Sequence, residues 1–295
     1  MAAAQIQTAT VIQFSSAVHL AAQQMKARFA PVFPVKQLTG KSFAYDGVGS
    51  IEAQELNGRF NRVTFSDLKV VRRKIGRRRF SLTLPIDADD ASQVLINQEA
   101  EYSQACSMAM ARVYDRIGVE AALASVYTGE DLDTAVTFAN DGGQTVTATA
   151  GLTYEKLLEI MQNFIDSDVG NDMIENFLFC ISGDEHTALM KELELTSGDY
   201  SRQYGVDKGG IQEAVGLKLI KFAANATNPI LSVAAGVRSC IAMSSRGLCY
   251  AMPKQFEIVV QDRSDLVQTK QVQVNWTLGA VRTEGVLVQK VTTTD

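Results

Sequence analysis

Histidine is scarce, with two in 295 residues. That excludes a histidine-rich metal site or a histidine phosphorelay as the organising chemistry. Cysteine is also sparse. Cys106, Cys180, Cys240 and Cys249 are widely spaced and form no CxxC pair. They read as reduced, buried thiols of a cytoplasmic product. No apolar run reaches about 18 residues, so no membrane span is expected. Residues 1–30 lack the basic start, apolar core and small-residue cleavage site of a secretory leader. Positive charge is outnumbered, 28 Lys/Arg against 33 Asp/Glu for a net of −5, which argues against a general nucleic-acid binder. The remainder is ordinary globular composition, 46 % apolar and 21 % charged, enough for one large or two smaller domains.

The positive charge that is present is concentrated. Residues 59–79 hold nine Lys/Arg and one acid, Asp67, a net of +8, which leaves −13 for the rest of the chain. A strand-like piece, 80–86, follows and leads into a long helical pattern. Leu95, Tyr102, Cys106, Met110, Val113, Ile117, Ala121 and Ala124 recur at spacings of three, four and seven and make one apolar face. Asp87, Asp89 and Asp90, with Ser92 as a further cap, supply the negative charge a helix N-terminus favours. A helix of roughly 30 residues would span about 45 Å and serve as a backbone for the other parts.

Residues 1–35, rich in Ala, Gln, Thr and Ser, read as an arm with a helix around 17–27, ended by Pro31 and Pro34. Residues 35–58 look extended. Between 59 and 86, Val63, Phe65, Val70, Val71, Phe80, Leu82 and Leu84 alternate, and Gly76 between two basic strands suggests a long hairpin. After the long helix come a strand of Thr-Val-Thr-Ala-Thr and a helix over 153–166, with Leu157, Leu158, Met161 and Ile165 on one side and Thr153 as cap. A buried strand over 176–182 precedes a helix over 183–193. Strands are expected at 214–222, 230–233, 240–250 (one strand or a strand pair), 256–261, 271–278 and 280–291, the one at 271–278 alternating strictly at Val272, Val274 and Trp276. Helices and strands mix without a βαβ rhythm, so the fold class is α+β.

Apparent catalytic motifs do not hold up. Gly40-Lys41-Ser42 resembles the end of a phosphate loop, but Val35 stands where its first glycine is needed. Asp184-Glu185-His186 lacks a second histidine and a Gly-x-Ser-x-Gly elbow, and its acids suit the first turn of a helix. Ser66 and Lys69 have a nucleophile spacing, but in a strand rather than a helical turn. No enzyme, metal or cofactor is expected. The basic segment is a poor design for an isolated monomer, since like charges facing one another repel. Arg59, Arg62, Arg72, Arg73, Lys74, Arg77, Arg78 and Arg79 therefore read as a clamp across acidic surface of an identical neighbour, with Asp87, Asp89 and Asp90 or Glu130, Asp131 and Asp133 as its complement. A contact between unlike patches closes into rings or lattices. The alternative is a nucleic-acid-binding protein using the same hairpin, with aromatic interleaving limited to Phe60, Phe65 and Phe80.

The order of these parts resembles the major capsid protein of tailed double-stranded DNA bacteriophages, the Hong Kong 97-type fold. Five runs resemble the family in sequence: Ser-Phe-Ala-Tyr-Asp-Gly at 42–47, Arg-Arg-Lys-Ile-Gly-Arg-Arg-Arg at 72–79, Ser-Gly-Asp-Glu-His-Thr-Ala-Leu at 182–189, Thr-Ser-Gly-Asp at 196–199 and Gly-Ala-Val-Arg-Thr-Glu-Gly-Val at 279–286. The resemblance implies an N-terminal arm (1–35), an extended β-hairpin loop (36–86), a spine helix with the first part of a peripheral domain (87–151), an axial domain (152–252) and C-terminal β strands of the peripheral domain (253–295). It implies pentamers and hexamers of identical subunits in an icosahedral shell, with packaged double-stranded DNA on the inner face bound without sequence specificity. It implies a portal, a separate scaffolding protein (residues 1–35 are too short to be a cleaved scaffolding segment), and leaves a decoration protein open. The expected location is the virion, assembled in the host cytoplasm. Lys69 and Lys74 lie in the loop and Asn275 in the last strands, but they do not match the lysine–asparagine cross-link known in some members.

Overall fold

A computed structural model describes residues 24–49, 51, 53, 55, 65, 67–86, 98–149, 151–169, 176–192, 211–224, 228–234, 236–254, 256–263 and 269–294. In chain order the described elements are β1 (Val35–Gln37), β2 (Ser42–Val48), β3 (Val70–Gly76), β4 (Arg78–Ile86), α1 (Gln98–Leu123), β5 (Val126–Thr128), β6 (Thr134–Val136), β7 (Gln144–Ala148), α2 (Tyr154–Asp166), β8 (Phe177–Ile181), α3 (Gly183–Lys191), β9 (Glu213–Ala214), β10 (Leu217–Lys221), β11 (Val233–Ala234), β12 (Val237–Ser244), β13 (Leu248–Met252), β14 (Glu257–Arg263), β15 (Thr269–Arg282) and β16 (Val288–Thr294). The α+β class holds. The expected arm 1–23, Arg59, Arg62, Asp87, Asp89, Asp90, Ser92, Leu95 and the run 196–199 lie outside the described residues.

The chain divides into two compact units. One comprises Met1–Lys26, Arg79–Ala111 and Gln255–Trp276. Its sheet pairs β14 antiparallel with β15, from Glu257 opposite Asn275 to Arg263 opposite Thr269, and β4 also pairs with β15. Val272, Val274 and Trp276 of β15 are buried at period two. The Trp276 ring meets Phe256 edge-on at 5.2 Å, a core contact as the sequence suggests.

The other unit comprises Ala27–Arg78, Arg112–Lys254 and Thr277–Asp295. Its largest sheet runs β7-β16-β12-β8-β10-β9, with β11 on β12. Every residue of β8 is buried; it is an interior strand, with β10 beside it in parallel and β12 antiparallel, and both its faces are covered. That explains a continuous apolar run rather than an alternating one. α2 packs against β7. Its buried stripe is Leu157, Ile160 and Phe164, while Leu158 and Ile165 are exposed. The expected stripe thus shifts around the helix, and Thr153 sits at the N-cap without a side-chain hydrogen bond.

α1 is 26 residues long, about 39 Å. It stops before Val126, which opens β5, so the expected helix ends a few residues early. Along its second half Tyr114, Asp115, Ile117, Gly118, Val119 and Ala122 are all buried, which makes it a spine through packed surroundings. Asp115 accepts hydrogen bonds from the backbone N–H of Arg28 (3.1 and 3.0 Å) and Phe29 (3.1 Å). This fixes the turn at 28–33, where Phe29 is fully buried. Tyr114 stacks on Tyr250 at 4.1 Å. Residues 24–27 carry no helix.

Several strand expectations change. The stretch 214–222 divides into β9 and β10, 230–233 is strand only from Val233, and 280–291 is interrupted between Arg282 and Val288. β15 continues without a break through Gly279, where a strand boundary is expected from sequence. A Cβ at Gly279 would run into the Gly76 carbonyl oxygen and lie 2.9 Å from Ile75, so the glycine permits a close backbone approach instead of ending a strand. The stretch 240–250 takes the two-strand form of its expectation, as parts of β12 and β13, and these lie in different sheets.

Candidate assembly interface

The basic segment is built into a four-stranded sheet, β2-β3-β5-β6. The hairpin is present but its strands differ from expectation. β3 pairs antiparallel with β2, from Ser42 opposite Gly76 to Val48 opposite Val70, and meets β5 at Arg73 opposite Thr128. β4 pairs with β15 instead. Gly76 is therefore at the base of the hairpin and not at its turn. Only Arg77 separates β3 from β4, too little chain for a hairpin turn, and charge disfavours the pairing as well. Pairing two arginine-rich strands would set cations opposite cations. β2 instead offers Asp46 opposite Arg72, Ala44 opposite Lys74 and Tyr45 opposite Arg73.

Alternation then sorts the charges. Arg73 and Ile75 point inward and are buried, while Arg72 and Lys74 point outward. Arg73 makes a bidentate pair with Asp141, 2.8 and 2.7 Å from its two terminal nitrogens, and donates to the carbonyl of Arg282 at 3.3 Å. Asp141 also accepts from Nε of Arg282 at 2.9 Å. Arg282 is fully buried. It donates to the carbonyls of Ala122 (2.7 Å) and Ala124 (3.0 Å) and lies over the Phe138 ring at 5.1 Å. Two guanidiniums share one carboxylate, so the cluster carries one uncompensated positive charge. The last carbonyls of α1, at the negative end of the helix dipole, offset part of it. Burial lowers the Arg282 pKa, opposed by the hydrogen bond and charge of Asp141 and reinforced by Arg73.

The outward cations differ in commitment. Arg72 pairs with Asp46 at 2.8 Å on exposed surface, and that hydrogen bond raises its pKa. Arg78 pairs with Glu120 of α1. Arg77 donates to the Gly40 carbonyl at 2.9 Å. Lys74 stands 6.0 Å from the centre of the Tyr127 ring. Arg79 is exposed. Glu130, Asp131 and Asp133 are exposed on the turn between β5 and β6, in the same sheet as β3. The fold thus brings Arg72–Lys74 and the turn at 130–133 onto neighbouring strands of one chain.

Sequence reasoning missed Asp46, Glu120, Asp141 and Arg282. Arg282 had a signal: it shares the parity of Val272, Val274, Trp276 and Leu278, so the alternation that buries them buries it too. Asp141, in a turn, had none.

The Asp184-Glu185-His186 run is a helix start. Ser182 and Glu185 form a capping box at α3. Glu185 accepts from Thr293 at 2.8 Å, and Arg238 reaches Asp184 at 2.9 Å. Burial alone would raise the Glu185 pKa, but hydrogen bonds from Ser182, Thr293 and the backbone, together with the charge of Arg238, outweigh it and the pKa falls. Gly40-Lys41-Ser42 is a bend leading into β2. Among the described residues no three His, Cys, Asp or Glu side chains gather as metal ligands, and no helix is long and apolar enough to cross a membrane.

A family model described as phage capsid protein matches residues 6–294. No curated protein matches the sequence. Among solved structures, the capsid of the cyanophage P-SCSP1u is 12 % identical, covering 98 % of this chain and 94 % of that one at a TM-score of 0.74. The head of the Helicobacter pylori bacteriophage KHP40 is 10 % identical, covering 96 % and 94 %, at 0.72. The mature capsid of bacteriophage PhiM1 is 12 % identical, covering 97 % and 92 %, at 0.70. At these identities the likeness shows the fold, and it is the phage capsid fold expected from the order of the parts.

Proposed function

The chain belongs to the phage capsid protein family, and from that premise we propose that its copies build the shell as pentamers and hexamers around double-stranded DNA. The observation that carries this reading is the family match over nearly the whole chain. The hairpin adds physical support. Val48, Ile51, Phe65, Leu68, Val70 and Val71, within 24 residues of sequence, are all exposed large hydrophobics, Phe65 at 96 %. Such a cluster marks an interaction surface. Burying one such side chain contributes about 1.5–3 kcal/mol, against about 0–1 kcal/mol for an exposed ion pair. In this reading the apolar tip supplies most of the adhesion, and the basic residues at its base set orientation.

The five segments keep their proposed roles: arm 1–35, extended loop 36–86, spine helix and first peripheral part 87–151, axial domain 152–252, and C-terminal peripheral strands 253–295. The loop would lie over a neighbouring copy, with Arg72, Lys74, Arg77, Arg78 and Arg79 at the contact and Arg59 and Arg62 further along it. Asp87, Asp89 and Asp90 or Glu130, Asp131 and Asp133 would receive them. Arg73 belongs to its own chain's buried cluster and holds the loop's base. DNA would meet the inner face without sequence specificity. A separate scaffolding protein and a portal would take part, with a decoration protein as a further partner, and assembly would occur in the host cytoplasm. The nucleic-acid reading of the hairpin has no support, since Arg72, Arg73 and Arg78 each have a carboxylate within the chain.

Sedimentation and negative-stain electron microscopy of the purified chain after nuclease treatment test the proposal. Shells, tubes or rings are expected. A subunit that stays monomeric even with its scaffolding partner co-expressed would contradict it.

A further inference from the structure

A groove of about 530 Å³ lies beside the base of the hairpin. Ile117, Ala121, Val126 and Val281 give it an apolar floor, and Lys74 and Arg77 stand on its rim. Arg78 is also on the rim but already holds Glu120. Lys74 and Arg77 have no carboxylate partner among the described residues; their contacts are a ring and a carbonyl. The groove is therefore apolar below and positively charged above, with two cations that hold no carboxylate among the described residues.

The complementary shape is on the same subunit. The turn between β5 and β6 reads Glu130-Asp131-Leu132-Asp133, one leucine among three exposed acids. None of the three makes an ion pair among the described residues. The charge of Glu130 acts on Arg72, but the Arg72 guanidinium is bonded to Asp46. Leu132 is held at φ 58°, a left-handed conformation that a leucine rarely adopts. Strained backbone of this kind clusters at binding sites, where the surroundings hold it in place. The groove is lined at the start of β5 and the turn follows its end, roughly 10 Å away at about 3.3 Å per residue.

We infer that this turn of one copy seats in the groove of the next. Leu132 enters the apolar floor, and Glu130, Asp131 and Asp133 meet Lys74 and Arg77. Groove and turn are different patches, so the contact is heterologous, the type that closes into rings. The inference rests on the shell reading and names which acidic patch receives the basic strand.

Charge exchange tests it. K74E/R77E and E130K/D131K/D133K should each give folded subunits with unchanged circular dichroism and at least a tenfold loss of assembled particles by sedimentation. One chain carrying all five substitutions should recover most of that loss, because its reversed groove meets a reversed turn. L132A, which keeps the acids, should weaken assembly without altering charge. Single-patch variants that assemble like wild type, or a combined variant no better than either, overturn the contact while leaving the shell reading standing. Normal shells from K74E/R77E with weakened binding to nucleic acid would assign the groove to a polyanion and also overturn it. Wild-type protein that forms no particle under any condition would sink the shell reading and the contact with it.

Discussion

Asp141 is the carboxylate most worth removing. It holds Arg73 with two hydrogen bonds and Arg282 with one. Its own side chain is 9 % exposed, against 7 % for Arg73 and 0 % for Arg282. Asp141→Asn keeps the shape and removes the charge, leaving two buried guanidiniums near one another with only carbonyls as acceptors. Removing one partner of a buried ion pair costs about 3–5 kcal/mol, since the remaining charge stays desolvated. The carbonyls of Ala122 and Ala124 stay bonded to Arg282, so the lower half of that range is expected. For chains of about 150–250 residues each kcal/mol moves Tm by about 2–4 °C. The variant should melt about 6–16 °C below wild type, measured by circular dichroism on unassembled subunits. Asp46→Asn is the control: its pair with Arg72 is exposed on both sides, and its Tm should match wild type within error. If Asp141→Asn moved Tm no more than Asp46→Asn, the buried cluster would not hold the base of the hairpin.

Phe65→Asp should leave Tm unchanged and abolish assembly, because the ring is 96 % exposed in the single chain; particles at wild-type yield would refute a role for the hairpin tip. Gly285→Ala should destabilise the subunit by about 1–3 kcal/mol or prevent folding, since the new Cβ would overlap the Asp141 backbone carbonyl; a wild-type denaturation midpoint would show that this contact is not needed. Glu185 has a folded pKa below its ordinary 4.5. The unfolded chain therefore binds the proton more readily, and stability is present above pH 4.5 and lost as pH falls through the folded value. Glu185→Gln should flatten that acid limb in denaturant titrations between pH 6 and pH 3; an unchanged slope would reject the assignment. His186 is held below 6.5, chiefly by burial and also by Lys221, so its proton resonance should titrate below that of a free imidazole.

Much of the fold was legible because it rests on periodicity. The spine helix, the alternation of Val272, Val274 and Trp276, and the uniformly apolar β8 each follow from one local rule. The capping box at Ser182 and Glu185 was also readable, as acids placed for a helix start. What sequence could not supply was pairing. Two arginine-rich strands separated by Gly76 look like a hairpin, yet only Arg77 lies between β3 and β4, and β3 pairs with β2, which sets Asp46 and neutral residues opposite its cations. Gly279 looked like a strand end and is a close-approach position instead. The basic cluster itself was visible, but its division was not. Arg73 turns inward only because Asp141 and Arg282, 68 and 209 residues further on, are brought to it. Charge counting finds such a segment, and three-dimensional pairing decides which of its charges remain available.

The central claim is that the chain closes into a shell with the hairpin of one copy lying across the next. Electron cryomicroscopy of assembled, nuclease-treated particles at a resolution that separates strands tests it most directly. The account predicts rings of five and six copies, with residues 42–76 of each reaching over an adjoining subunit and residues 48–71 buried there. A closed shell in which residues 48–71 stay exposed to solvent would contradict it, as would particles held together by nucleic acid alone.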